Sequence, residues 1–478
     1  MKKLDKVVVF LLITILTACK SKDNCARLFQ RLENEYYSGN FKRLGLIADS
    51  LKRNCCNEFL IAKADSFLQI AQRTELDFSA SSDKINQQIR DRFGDIFPEE
   101  IRSWEEKNWL ECRIINGEKK YFNRAFSNLL LLRDFYLNRA MRDSAEARDP
   151  EIIHRKSHTR EIIKESNGSP VLPVKLKVNY VITVFPGSVP AGETVRCWLP
   201  YPKENHKRQG KVTLISTSHP DYIISPDTAV HRTIYMEGKA MSDKPLLFSI
   251  SYSYITSGQY FDPDLIKPQP YNIQTGLYMK YTSEEPPHIC FTERVKKTAD
   301  SIAGNENNPF VMLRKFYYWF AESIPWTGAL EYSTIPVIPD YVLENSRGDC
   351  GMQTFLLMSM LRYKGIPVRW QSGWKMPPDA KNLHDWCEVF IEGTGWIPVD
   401  ISYGLQYTDN IKLREFYISG IDSYRLIVND GVSGTLIPLK KFLRSEPYDF
   451  QRGEVEWAGG NLYFDQWDYE MQIEYDAD

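Results

Sequence analysis

Three residues in the second half of the sequence have the types and order that nucleophilic acyl chemistry needs: Cys350, His384 and Asp400. Cys350 lies in Gly348-Asp349-Cys350-Gly351, where a loop becomes an apolar helix over Met352 to Leu361. At a helix N-terminus the unpaired backbone N–H groups and the dipole favour a thiolate. The N–H of Cys350 itself could help hold an oxyanion, and the flanking glycines would let a substrate backbone come close. The same residues equally describe a small buried cysteine at a helix start. His384 opens a strand-like run, His384-Asp385-Trp386-Cys387-Glu388, with His384, Trp386 and Glu388 on one face and Cys387 on the other. Asp400 closes another, Trp396-Ile397-Pro398-Val399-Asp400. If those strands are adjacent and antiparallel, the carboxylate stands beside the imidazole, fixes its tautomer and stabilises its charged form. The imidazole would in turn hold Cys350 as thiolate.

The order of cysteine, then His-x-Trp-x-Glu, then Gly-Trp-x-Pro-Val-Asp resembles the transglutaminase-like superfamily. So does Leu356 to Arg369, an apolar helix running into Lys364-Gly365-Ile366-Pro367-Val368-Arg369. Tyr281-Thr282-Ser283, Ile302-Ala303-Gly304 and Asn308-Pro309 look like the lead-in to such a domain, and the likeness spans residues 281–404. Val195 to Pro202 is similar to the β-domain that often precedes it in bacterial members. The resemblance implies a papain-like α/β core, a Cys-His-Asp triad and a second oxyanion donor upstream of the cysteine. Trp326 is the candidate for that donor and Tyr332 another; core packing beside Ile324-Pro325 explains them as well. The calcium sites of animal transglutaminases match no motif here.

These residues must be positioned by a chain of 478 residues, long enough for two to four folded units. Residues 19–168 read as a helical region, with apolar residues at three- and four-residue spacing in 24–37, 41–51, 59–71 and 121–137. Ser38-Gly39-Asn40 marks a turn, and Ser166 to Pro170 a linker. From Val174 to Ile182 the period becomes two, and further strand-like runs begin at Val195, Lys211, Arg232 and Leu246. They predict a β-sandwich domain over 171–260. The catalytic domain is expected over 281–404, with 405–478 as its C-terminal extension. The fold class is thus multidomain α+β: helical region, β-sandwich, and papain-like catalytic domain.

The N-terminus carries its own expectations. Basic residues precede an apolar run from Val7 to Leu16 that is too short to span a bilayer, which needs about 20 residues. Residues 1–18 have the shape of a signal peptide, and Leu16-Thr17-Ala18-Cys19 resembles a lipobox. Cys19 is expected to carry lipid and to anchor the chain to the cell envelope. Of the eight other cysteines, Cys25 could pair with Cys55 or Cys56.

Lys and Arg total 60 against 62 Asp and Glu, which lacks the basic excess of a nucleic-acid-binding protein. His154 and His158 are spaced i, i+4 but lie in a charged stretch that reads as a solvated face. The chemistry calls for no metal and no cofactor. The expected activity is cysteine-dependent acyl chemistry on an amide, through a thioester, with a peptide or protein substrate. Water resolving the acyl-enzyme would make a peptidase or amidase; an amine would make a transferase. The alternative is a non-catalytic binding or scaffold lipoprotein on the same fold.

Overall fold

Apolar residues at helical spacing build the N-terminal part. In the computed structural model, which describes residues 24–137, 149–378 and 380–476, the chain divides into two compact units, residues 1–132 and 133–478. Cys19 and the apolar run before it lie outside the described residues. In the first unit, helices over 24–37, Phe41–Asn54 and Glu58–Asp77 turn Leu32, Leu44, Ala48, Leu51 and Ala64 inward. Asn57 and Ser81 cap the helices that follow them by accepting from the N–H groups of Leu60 and Lys84. A disulfide joins Cys25 to Cys55, leaving Cys56 free and exposed.

This unit is not helical throughout. Strands Cys112–Ile115 and Glu118–Tyr121 form a hairpin, and Ala80–Ser81 adds to its edge. Asn116 and Gly117 both take positive φ, 51° and 85°. That is the two-residue turn for which Asn-Gly is the strongest local signal, and it was there to be read in the sequence.

In the second unit the period-two runs become long antiparallel strands. Val171–Val184 pairs on one side with Leu246–Tyr260 and on the other with Trp467–Asp476. Gln209–Thr217 and Gly420–Ile421 also pair with Leu246–Tyr260. A second five-stranded sheet runs in the order Gly460–Leu462, Glu454–Trp457, Thr194–Pro200, Thr233–Lys239, Tyr222–Ile224. The two sheets share one core, with Val178, Tyr180, Tyr252 and Tyr254 from the first and Cys197, Trp198, Met236 and Val455 from the second. Residues 171–260 therefore do not complete these sheets alone. Strands from 420–476, expected as an extension of the catalytic domain, fill positions in both. Helix Pro150–Glu165, expected in the N-terminal region, packs on this β part through Ile162, which meets Gly258.

The remaining sheet has four antiparallel strands, in the order Gly395–Val399, Asn382–Ile391, Val368–Lys375, Arg425–Asn429. Helix Cys350–Tyr363 is buried from Cys350 to Arg362 and packs on strand Asn382–Ile391. That explains why the helix is apolar all round rather than on one stripe. Among the described residues no helix is long and apolar enough to cross a membrane.

Candidate functional site

Cys350 is the first residue of its helix, as the sequence reading expects, and Asp349 is the N-cap, its Oδ1 accepting from the N–H of Met352 at 2.9 Å. The same oxygen accepts from the Tyr332 hydroxyl at 2.6 Å. Gly351 has no room for a side chain, because the Tyr332 hydroxyl and the Asp385 carboxylate occupy that space. The glycine thus admits these two groups to the start of the helix. The Cys350 thiol donates to Asp385 Oδ2 at 3.3 Å, and the backbone N–H of Asp385 also faces the sulfur.

His384 and Asp400 are brought together by the strand pairing the sequence suggested. Cys387 lies opposite Val399 in antiparallel register, which carries Asp400 toward His384 at the end of the ladder. His384 Nε2 lies 2.7 Å from Asp400 Oδ2, and both side chains are buried. Arg425 Nη1 reaches the same oxygen at 2.7 Å, while its Nε and Nη2 hold Asp422. The Ser402 hydroxyl donates to the other oxygen, Oδ1, at 3.1 Å.

The electrostatics divide the site in two. Burial alone would raise the Asp400 carboxyl, but His384 and Arg425 outweigh it and hold the group well below the usual carboxylate range. Burial lowers His384, and Asp400 offsets this only in part. A neutral imidazole donating from Nε2 to an ionised Asp400 follows, with the Nδ1 lone pair left for another proton. Around the sulfur the sign is opposite. Burial, then the carboxylates of Asp385 and Asp349, push the Cys350 thiol well above its ordinary value. Burial, with Asp449 and Asp349, does the same to Asp385.

The expectation of a thiolate paired with an imidazolium is thus not the arrangement seen. Among the described residues no hydrogen bond joins Cys350 to His384, and the thiol is turned to the next residue of the strand. Neighbouring strand residues point to opposite faces. His384 shares its face with Trp386, at 6.0 Å between ring centroids, and Asp385 takes the face that meets the sulfur.

Trp326 is 43% exposed and its backbone forms a parallel bridge with Gly348, two residues before the cysteine. It lines a cavity of about 500 Å³ together with Gln353 from the cysteine helix and Ser402 and Tyr403 beside the His–Asp pair. The Tyr403 ring centroid is 5.4 Å from that of His384. The cavity is therefore bordered by neighbours of Cys350 on one side and of His384 on the other. Tyr332, the other oxyanion candidate, is buried and committed to Asp349.

Comparison with known proteins finds a family over the same stretch of chain. Residues 296–401 match the family model of the transglutaminase-like superfamily.

The chain carries a transglutaminase-like domain.

This domain contains Cys350, His384 and Asp400, and the match lies inside the 281–404 span read from the sequence. Among solved structures the chain is similar to a putative cysteine protease from Cytophaga hutchinsonii, at 15% identity and a TM-score of 0.43, over 64% of this chain and 91% of that one. It is also similar to the periplasmic domain of TgpA from Pseudomonas aeruginosa, at 13% identity and a TM-score of 0.25, over 54% and 94% of the two chains. A putative protease from Parabacteroides distasonis matches at 11% identity and a TM-score of 0.21, over 56% and 46%. Likenesses of this size carry no argument about activity. No curated protein matches the chain.

Sequence reasoning missed Arg425, Gln451 and Asp385 at the transglutaminase-like site. Arg425 and Gln451 come from a segment with no motif of its own. Gln451 Nε2 donates to His384 O at 2.9 Å and to Asp385 Oδ1 at 2.7 Å, which fixes the start of the histidine strand. Asp385 was in view as a neighbour of His384, and strand alternation was the signal that set it apart. Of the two histidines set aside as a solvated face, His154 is exposed, but His158 Nε2 accepts from the Ser423 N–H at 3.2 Å and packs on Tyr424.

Proposed function

We propose that the protein is a cysteine-dependent enzyme that cleaves or transfers the acyl group of an amide, with Cys350 as nucleophile, His384 as general base and acid once the thiol has left Asp385, and Asp400 as the group that orients the imidazole. The observation that carries this reading is the buried His384–Asp400 pair at 2.7 Å, whose imidazole keeps Nδ1 available. On attack, the sulfur electron pair forms the S–C bond, the thiol proton passes to Nδ1, and the carbonyl π pair moves to oxygen. Collapse expels the amine, which takes the proton from His384 and leaves a thioester. Water or an amine then resolves the thioester. The backbone N–H of Cys350, at a helix start, is an oxyanion donor on this reading, and Trp326, on the cavity wall, is the candidate for the second. The substrate class is a peptide or protein amide entering the cavity between Trp326 and Tyr403. No metal or cofactor takes part in these steps.

The same reading places the protein in the cell envelope, anchored through lipid on Cys19. The motif Leu16-Thr17-Ala18-Cys19 motivates it, and a Cys25–Cys55 disulfide suits an oxidising compartment. Mass analysis of the mature N-terminus tests it; an unmodified Cys19 would end the proposal.

A second reading has one observation in its favour. The thiol is bonded to Asp385 and pushed away from thiolate, which suits a binding or scaffold protein on a transglutaminase-like fold. An acyl-amide or peptide-aldehyde probe separates the two. Labelling at Cys350 that disappears in His384→Ala supports the enzyme. A mature protein that never acylates and hydrolyses no peptide pool supports the scaffold.

A further inference from the structure

Asp385 is a buried acidic side chain in contact with a nucleophilic sulfur, and the proposed triad gives it no task. Its exposure is 2%, and each of its oxygens is engaged: Oδ1 accepts from Gln451 at 2.7 Å and Oδ2 from the Cys350 thiol at 3.3 Å. Gln451 holds the backbone of His384 with the same amide, so the clamp on Asp385 is built into the strand that carries the base. Among the described residues, the groups that act on the sulfur are the carboxylates of Asp385 and Asp349 and the backbone N–H of Asp385. The cysteine helix brings Asp349, and the segment before it brings the Tyr332 hydroxyl. Asp385 in turn faces Asp449 and Glu446 from the loop after residue 445. Arg452, a cation near this cluster, is already paired with Glu331 at 2.7 Å and with Glu446.

We propose that Asp385 is a positioning residue, the hydrogen-bond acceptor that holds the Cys350 thiol in a resting, protonated state and must release it before the sulfur can attack. In this contact Oδ2 accepts the proton that the Cys350 thiol carries. Removing it would leave a thiolate and a carboxylate 3.3 Å apart in a buried place, where like charges are costly. Release breaks only the S–H···O hydrogen bond. The thiol proton then leaves for His384 Nδ1 as the S–C bond forms, and Asp385 neither gains nor loses a proton. The thiol is thereby kept quiet toward small electrophiles until a substrate in the neighbouring cavity rearranges the contact. The inference rests on the nucleophile assignment above, but its test does not read acyl chemistry.

The rate of iodoacetamide labelling at Cys350, located by peptide mass analysis on the whole chain, is measured against pH. The wild-type midpoint should lie above the value of about 8.5 of an ordinary thiol. Asp385→Asn keeps the shape and the Gln451 contact while removing the charge. It should lower the midpoint by about one unit, raising the rate at pH 7 about tenfold. Gln451→Leu, which loosens the clamp without touching the sulfur, should move the profile in the same direction by less. Fast wild-type labelling below neutral pH overturns the proposal whether or not the variants fold. So does a profile unchanged in Asp385→Asn. Failure of the enzyme reading would show instead as absent amide turnover with these labelling shifts intact.

Discussion

His384 Nε2 and Arg425 Nη1 converge on one oxygen of Asp400, each at 2.7 Å, with all three side chains buried. The carboxylate is thus shared between the proposed base and a cation that fixes the carboxylate itself. Replacing Asp400 with Leu should keep the bulk but leave Nε2 with no acceptor, so that nothing holds the tautomer that frees Nδ1. The expected loss in amide turnover is about 10³ to 10⁴-fold, as for wrong-tautomer variants of other triads. Turnover within about tenfold of wild type would remove Asp400 from the mechanism.

Arg425→Met tests the cation. It leaves Asp400 and Asp422 buried without their shared partner. Stability should fall by about 3–5 kcal/mol, the usual cost of breaking a buried pair from one side. Urea denaturation followed by tryptophan fluorescence reads it, and a midpoint unchanged from wild type would contradict the account.

His288 provides a pH-dependence whose sign can be worked out. Burial lowers its pKa to about 3, and its Nδ1 accepts from the Ile338 N–H at 3.3 Å. The folded value lies below the unfolded one of about 6.5. The neutral group therefore contributes stability that is full above that unfolded value. This contribution is lost as pH falls toward about 3. Asp385 and Asp449 act in the opposite sense, since burial raises both. A single variant isolates the histidine: His288→Gln should remove one proton's worth of slope, about 1.4 kcal/mol per pH unit, between pH 6 and 4. Parallel stability curves for wild type and variant would refute this.

The disulfide closes a loop of 30 residues in the first unit. Cys55→Ser should cost that unit about 2–4 kcal/mol. Thermal unfolding under non-reducing conditions should show the loss in the transition of residues 24–132, and an unaltered transition would mean the cross-link carries no stability.

Much of the site was legible because it is local or periodic. The Asp349 cap and the apolar run after Cys350 announce the helix, and the two runs around His384 and before Asp400 read as strands by period and composition. The pairing of those strands follows from their short connection. Arg425 and Gln451 were not legible, since they reach the site from residues 420–476 and no spacing ties them to it. The direction of the thiol was hidden for another reason. Either neighbour on a strand can meet a helix start, and only packing decides that Asp385 rather than His384 faces the sulfur.

The pairing of Val171–Val184 with Trp467–Asp476 has a consequence for the order of manufacture. A ribosome has delivered Cys350, His384 and Asp400 long before it delivers Arg425, Gln451 and the strand that closes the sheet. A nascent or truncated chain ending before residue 425 holds the three reactive side chains but neither the guanidinium that fixes Asp400 nor the amide that grips the start of the histidine strand. The contacts around His384 and Asp400 are therefore complete only when nearly all of the polypeptide has emerged.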